Sequence, residues 1–73
     1  MDQHQKRLRK FGKRLRELRK GLDWSQEYFA DVAGLDRSYM GAIERGEQNP
    51  TFKNISRIAV ALKLSMSQLL EGI

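Results

Sequence analysis

Cysteine is absent from this chain, and histidine and proline occur once each in 73 residues. Without thiols there are no disulfides, no thiolate chemistry and none of the usual zinc sites. His4 has no second imidazole to share a metal with. With carboxylates scattered over separate segments, no acid/base pair and no nucleophile is assembled, so neither an enzyme nor a cofactor is expected. Aromatics number six and fall mostly at core positions, which leaves no stacking surface for single-stranded RNA. No apolar run approaches the roughly 18 residues of a membrane span, and no apolar stretch follows the basic start as it would in a signal peptide. These absences point to a cytoplasmic protein that does not enter the membrane. They also leave a small chain without covalent staples. Ordering it costs on the order of 110 kcal/mol, so efficient helix packing, a partner subunit, or both must offset that cost.

Basic residues are what the chain has in excess. Its net charge is +5 and its pI near 10, which favours nucleic acid or an anionic surface as partner. Residues 1–20 hold nine basic side chains against Asp2 and Glu17, a net +7. Residues 21–73 hold five against seven acidic ones, a net −2. A basic run of this kind is either a solvated helix face or an arm on DNA phosphate.

Residues 1–73 read as one domain of five helices, with no strand pattern to compete. Leu8, Phe11, Leu15, Leu18 and Leu22 form one amphipathic stripe, so the first helix should begin within residues 3–8 and end near Lys20. Residues 1–7 are then a basic N-terminal arm or an extension of that helix. A basic amphipathic helix also suits a membrane surface, but here the core that follows needs its stripe. Gly21 is expected to stop the helix in a left-handed conformation, with Leu22 folding back over it. Ser25 and Asp36 are N-cap candidates, Gly34 and Gly46 are stops, and Thr51 and Ser65 open two further helices, the last with a capping-box pattern to Gln68. Phe29, Ala30 and Ala33 give the second helix a small buried side. Met40 and Ile43 mark the inner side of the third, and Ile55, Ile58, Ala59 and Leu62 that of the fourth.

Two short helices across a tight glycine-containing turn, residues 26–45, make a helix-turn-helix, the arrangement that lays its second helix in the DNA major groove. At about 100° per residue, Arg37, Ser38, Gly41, Ala42 and Arg45 share one arc, away from Met40 and Ile43. Arg37 can reach guanine O6 and N7 in a bidentate pair. The small residues Gly41 and Ala42 admit the backbone to base edges, and the Ala42 methyl can meet a thymine methyl.

The string Ser25-Gln-Glu-Tyr-Phe-Ala-Asp-Val-Ala-Gly34, continuing through Ile43-Glu-Arg-Gly46 to Asn49-Pro50, resembles the helix-turn-helix core of the phage lambda/434 repressor and Cro family. It is most similar to small controller-type regulators of restriction–modification systems, and the likeness spans about 60 residues, from Phe11 to Leu70. The resemblance implies an all-α, five-helix, lambda-repressor-like domain that binds double-stranded DNA as a transcriptional regulator. It places Arg37, Ser38 and Ala42 at base-reading positions. Gln26, Arg45 and the backbone of Thr51, Phe52 and Lys53 fall at phosphate positions, the last three at a helix N-terminus whose free N–H groups suit an anion, while Tyr39 either adds a phosphate contact through its hydroxyl or only covers the core edge. Arg19 and Glu44 fall where relatives hold a partly buried ion pair between the first and third helices. The corner Gly21-Leu-Asp-Trp24 that ends the first helix is expected to be rebuilt around Trp24.

Met66, Leu70 and Ile73 recur at i, i+4 and i+7 as a second apolar stripe, more than one short terminal helix needs. A homodimer through this stripe is expected, with two recognition helices one DNA turn apart on a near-palindromic operator. RNA polymerase joins the partners if the protein activates. The alternative is a DNA-binding antitoxin-type module holding a protein partner, for which only the first ten residues are spare.

Overall fold

Five polar side chains start five helices. In the computed structural model, which describes residues 2–73, the side-chain oxygens of Asp2, Ser25, Asp36, Thr51 and Ser65 each accept the backbone N–H three residues on. Each satisfies one of the donors a helix leaves free at its first turn. The elements are α1 (Gln3–Gly21), α2 (Gln26–Ala33), α3 (Arg37–Glu44), α4 (Phe52–Leu62) and α5 (Met66–Leu69). The Ser65–Gln68 capping box forms as the sequence predicts. Residues 3–7 are helical, so the basic start extends α1 and is not a separate arm.

Two stops match the expectation and one does not. Gly34 (φ +70°) and Gly46 (φ +76°) take the left-handed conformation that glycine adopts without steric cost. Gly21 remains inside α1, and the left-handed residue is Asp23 (φ +59°), whose short polar side chain tolerates that region better than most. Leu22 is consequently half exposed and does not fold back over the helix end. Trp24 closes the corner instead. Its ring lies edge-on to Tyr28 with centroids 5.2 Å apart and tilted on Phe29 at 5.8 Å, while its carbonyl accepts from Arg19 Nη1 at 3.0 Å.

The core combines Phe11 and Leu15 of α1, Phe29, Ala30 and Ala33 of α2, Met40 and Ile43 of α3, Ile58, Ala59 and Leu62 of α4, and Leu69 of α5. Each large side chain among them contributes about 1.5–3 kcal/mol by leaving water. Leu8, at the exposed end of the α1 stripe, is only half-buried. α1 crosses α3 closely at Gly12, where a Cβ would run into the carbonyl oxygens of Ile43 and Glu44. At the far side Arg14 donates from Nε to the Leu69 carbonyl (2.7 Å) and from Nη2 to that of Gln68 (2.6 Å). It thereby places a cation on the last carbonyls of α5, where helix ends carry partial negative charge. Among the described residues no helix is long and apolar enough to cross a membrane.

Candidate nucleic-acid interface

The small side chains of Ala30 and Ala33 let α3 lie close on α2, and Gly34 turns the chain so that Asp36 caps α3. With Met40 and Ile43 buried, the opposite face of α3 presents Arg37 and Ser38 to solvent and Ala42 at half exposure. Arg37 Nη1 lies 3.7 Å from Glu27 Oε2, both side chains mostly exposed. A pair so solvated is worth little and leaves the guanidinium free to turn toward a base.

Gly41 stands differently from the expectation. It is buried, and a Cβ built on it would lie 3.0 Å from Gln26 Oε1 and 3.1 Å from Arg45 Nη1. Its missing side chain makes room for those two groups above the α3 backbone, so it does not lie open to an incoming base. Helical periodicity places Gly41 on the outer arc correctly, but it gives no account of side chains from other turns folding over it.

Below this face runs a polar network. Arg19 donates from Nε to Glu44 Oε2 (2.8 Å) and from Nη2 to Glu44 Oε1 (3.0 Å), in the bidentate geometry that arginine favours. Only 12% of the Arg19 side chain and 4% of that of Glu44 remain exposed. The hydrogen bond that Arg19 donates to Glu44, assisted by the carboxylate's charge, holds the guanidinium above its ordinary pKa despite burial. Gln26 Nε2 adds a bond to Glu44 Oε1 at 3.2 Å. Gln26 thus braces α2 against α3, and the second hydrogen on Nε2 stays free to donate. Arg45, the C-cap of α3, is exposed and tied through Nε to Glu47 Oε1 at 3.0 Å.

A second group of donors stands at the start of α4. Thr51 Oγ1 accepts from Asn54 N, and Ile55 N bonds the Thr51 carbonyl, so the N–H groups of Phe52 and Lys53 lack helical acceptors. Phe52 is 78% exposed. Asn54 Nδ2 donates to Tyr39 Oη at 3.2 Å, which orients the phenol and leaves its own O–H to donate outward. Asn54 has no place in the sequence reading. Its signal, an amide one turn into a capped helix, is too common to single it out.

Of the proposed dimer stripe, Leu70 is 37% exposed, while Met66 and Ile73 are half-buried against the chain's own core. The stripe is therefore more covered than periodicity implies, because α5 is one turn long and folds flat on the bundle. Leu70 and Ile73 instead border an apolar cleft with Leu8, Phe11, Pro50 and Ile55, and Met66 lies outside it.

The helix-turn-helix family HTH_3 matches residues 15–69, a span containing α2, α3, α4 and α5. The control protein C.MunI of a Mycoplasma species is 40% identical over 65 residues, 88% of each chain. The crystal structure of the restriction–modification controller protein C.AhdI from Aeromonas hydrophila superposes with a TM-score of 0.82. It is 50% identical, over 85% of this chain and 94% of that one. SinR, described as the master regulator for biofilm formation and solved in complex with DNA, superposes with a TM-score of 0.77. It is 32% identical, over 84% of this chain and 98% of that one.

Proposed function

Because this chain belongs to the helix-turn-helix family HTH_3, whose members here are DNA-binding transcriptional regulators and not enzymes, we propose that it reads a near-palindromic operator as a homodimer, with α3 in the major groove. The observation that carries this reading is the outer face of α3. Arg37, Ser38 and Ala42 stand clear of the core, between cations and unpaired backbone donors on either side. Arg37 contacts guanine, Ser38 a base-edge acceptor and Ala42 a thymine methyl. Gln26, Tyr39, Arg45 and the amides of Phe52 and Lys53 hold phosphates and fix the register of α3. Two-fold pairing seats Leu70 and Ile73 of one subunit against the other, with Met66 at the margin. That pairing sets the half-sites about 10 bp apart.

Selection of bound sequences from a random duplex pool tests this reading. The expected result is a two-fold motif, with operator affinity falling by roughly 10³–10⁵ between 50 and 200 mM salt for a dimer holding about six to ten phosphates. A pool that yields no motif, together with a flat salt response, would overturn it.

A further inference from the structure

The N-terminal half of the chain carries most of its positive charge, yet the residues assigned above to DNA lie almost entirely in α2, α3 and α4. Gly12 resolves where some of that charge goes. By letting α1 approach the last turn of α3, it brings Arg16, one helical turn further along α1, beside Arg45. Arg16, Arg19, Gln26, Glu44 and Arg45 line one open cleft of about 270 Å³. Inside it Glu44 is already neutralised, since Arg19 takes both carboxylate oxygens and Gln26 shares one. Arg19 is spent in the same pair. Arg45 keeps its Nη groups clear, because Glu47 engages only Nε. Arg16 is exposed and has neither an ion pair nor a hydrogen bond among the described residues. The cleft therefore offers the unpaired guanidinium of Arg16, the unengaged Nη groups of Arg45 and the spare Gln26 amide hydrogen around one space, with the one exposed carboxylate beside them, Glu47, held on Arg45 Nε.

We propose that this cleft is a phosphodiester site and that Arg16 of α1 is its third wall, gripping the DNA backbone together with Gln26 and Arg45. Converging planar donors of this kind match the tetrahedral oxygens of a phosphate. The assignment rests on the DNA-binding reading above and adds α1 to the elements that touch DNA. It also gives Gly12 a functional consequence, since only a close α1–α3 crossing brings Arg16 within reach of a phosphate held by the recognition helix.

Phosphate contacts act on any sequence, so the test uses a random-sequence 20-bp duplex and needs no operator. Affinity is measured by fluorescence anisotropy from 50 to 300 mM salt for wild type, Arg16→Gln, Arg16→Lys and Lys10→Gln. Lys10 lies on the α1 face turned toward the chain's C-terminus, beside Glu17 and Glu71. The expected result is that Arg16→Gln lowers the salt slope by about 0.9 per bound subunit and the affinity at 50 mM by roughly tenfold. Arg16→Lys keeps the slope, and Lys10→Gln matches wild type. A role of Arg16 confined to α3 stability would shift the melting temperature and leave the slope alone. An Arg16→Gln slope equal to that of Lys10→Gln overturns the site while the DNA reading stands. A wild type with no salt-dependent binding overturns that reading, and the site with it. As a measurement on the unmutated chain, the Gln26 side-chain amide resonances should shift on addition of the duplex. Resonances that stay fixed at saturation count against the site.

Discussion

Arg37 and Arg45 carry the same charge at opposite ends of α3, and their surroundings suit them to different parts of the proposed DNA contact. Arg37 opens α3, where only the solvated carboxylate of Glu27 restrains it, so it is free to follow a base edge. Arg45 lies past the last turn, over Gly41 and beside Gln26, where a backbone phosphate would pass. Arg37→Ala should cost about 1–3 kcal/mol on the preferred sequence and relax preference at a single base pair. Arg45→Ala should weaken all duplexes alike and reduce the salt slope. Repeating the sequence selection with each variant checks both, and an unchanged motif for Arg37→Ala would remove it from base reading. Among the polar residues of this face, Glu44 is one whose loss should be felt in stability. Glu44→Ala strands Arg19 in a site where its side chain is 12% exposed, and breaking such a pair costs roughly 3–5 kcal/mol. Urea unfolding should show this as a lower midpoint at unchanged slope. The raised pKa of Arg19 fixes the direction of any pH effect. Its stabilisation is complete below the arginine's ordinary value and is lost only as pH climbs through the still higher folded value. From the arginine's side, the contribution is therefore constant across neutral pH.

Helix crossings, rather than helix propensities, set the positions of these side chains. Glycine within a helix normally costs about 0.5–1 kcal/mol against alanine. At Gly12 that cost secures the α1–α3 approach, because the obstacle to a Cβ is backbone, which cannot swing aside. Gly12→Ala is expected to destabilise by about 1–3 kcal/mol through overpacking and to loosen the Arg19–Glu44 pair. Gly21→Ala is the matched control in the same helix. Nothing lies within 4 Å of its added Cβ, so it should be neutral or slightly stabilising. Thermal melts of the two variants separate packing from propensity, and equal melting temperatures would remove the close-approach argument. Arg14 performs the corresponding service for α5. A helix of four residues has little stability of its own, and its last carbonyls are held by a guanidinium from α1.

At the scale of the whole molecule, the residues that follow α5 and the first turns of α1 frame one largely apolar cleft on the face that bears Leu70. A subunit of this size gains from covering such a surface, and the proposed dimer does so while setting the spacing of the two α3 helices. Leu70→Lys should shift the monomer–dimer equilibrium toward monomer in sedimentation at micromolar concentration and weaken operator binding more than half-site binding. Leu70 suits this test better than Met66, whose partial burial mixes folding with association. A variant that sediments as wild type would move the interface elsewhere.

The five helices and the helix-turn-helix were legible in the sequence because their causes are local. A cap acts over three residues, an apolar stripe over four, and a glycine stop on its own φ. The resemblance that runs from Phe11 to Leu70 added the Arg19–Glu44 pair, which the structure forms. Tertiary structure decided the rest. Arg14 meets α5 across 55 residues of chain and Asn54 meets Tyr39 across 15, and no periodicity encodes either meeting. Gly41 follows the outer arc of α3 yet lies covered, because what covers it comes from α2 and from the turn after α3. Leu22 fits the stripe of α1 yet ends half exposed, because Asp23 and Trp24 redirect the chain before it can fold back. Periodicity tells a side chain which way it faces from its own helix. Only packing decides what stands there to meet it.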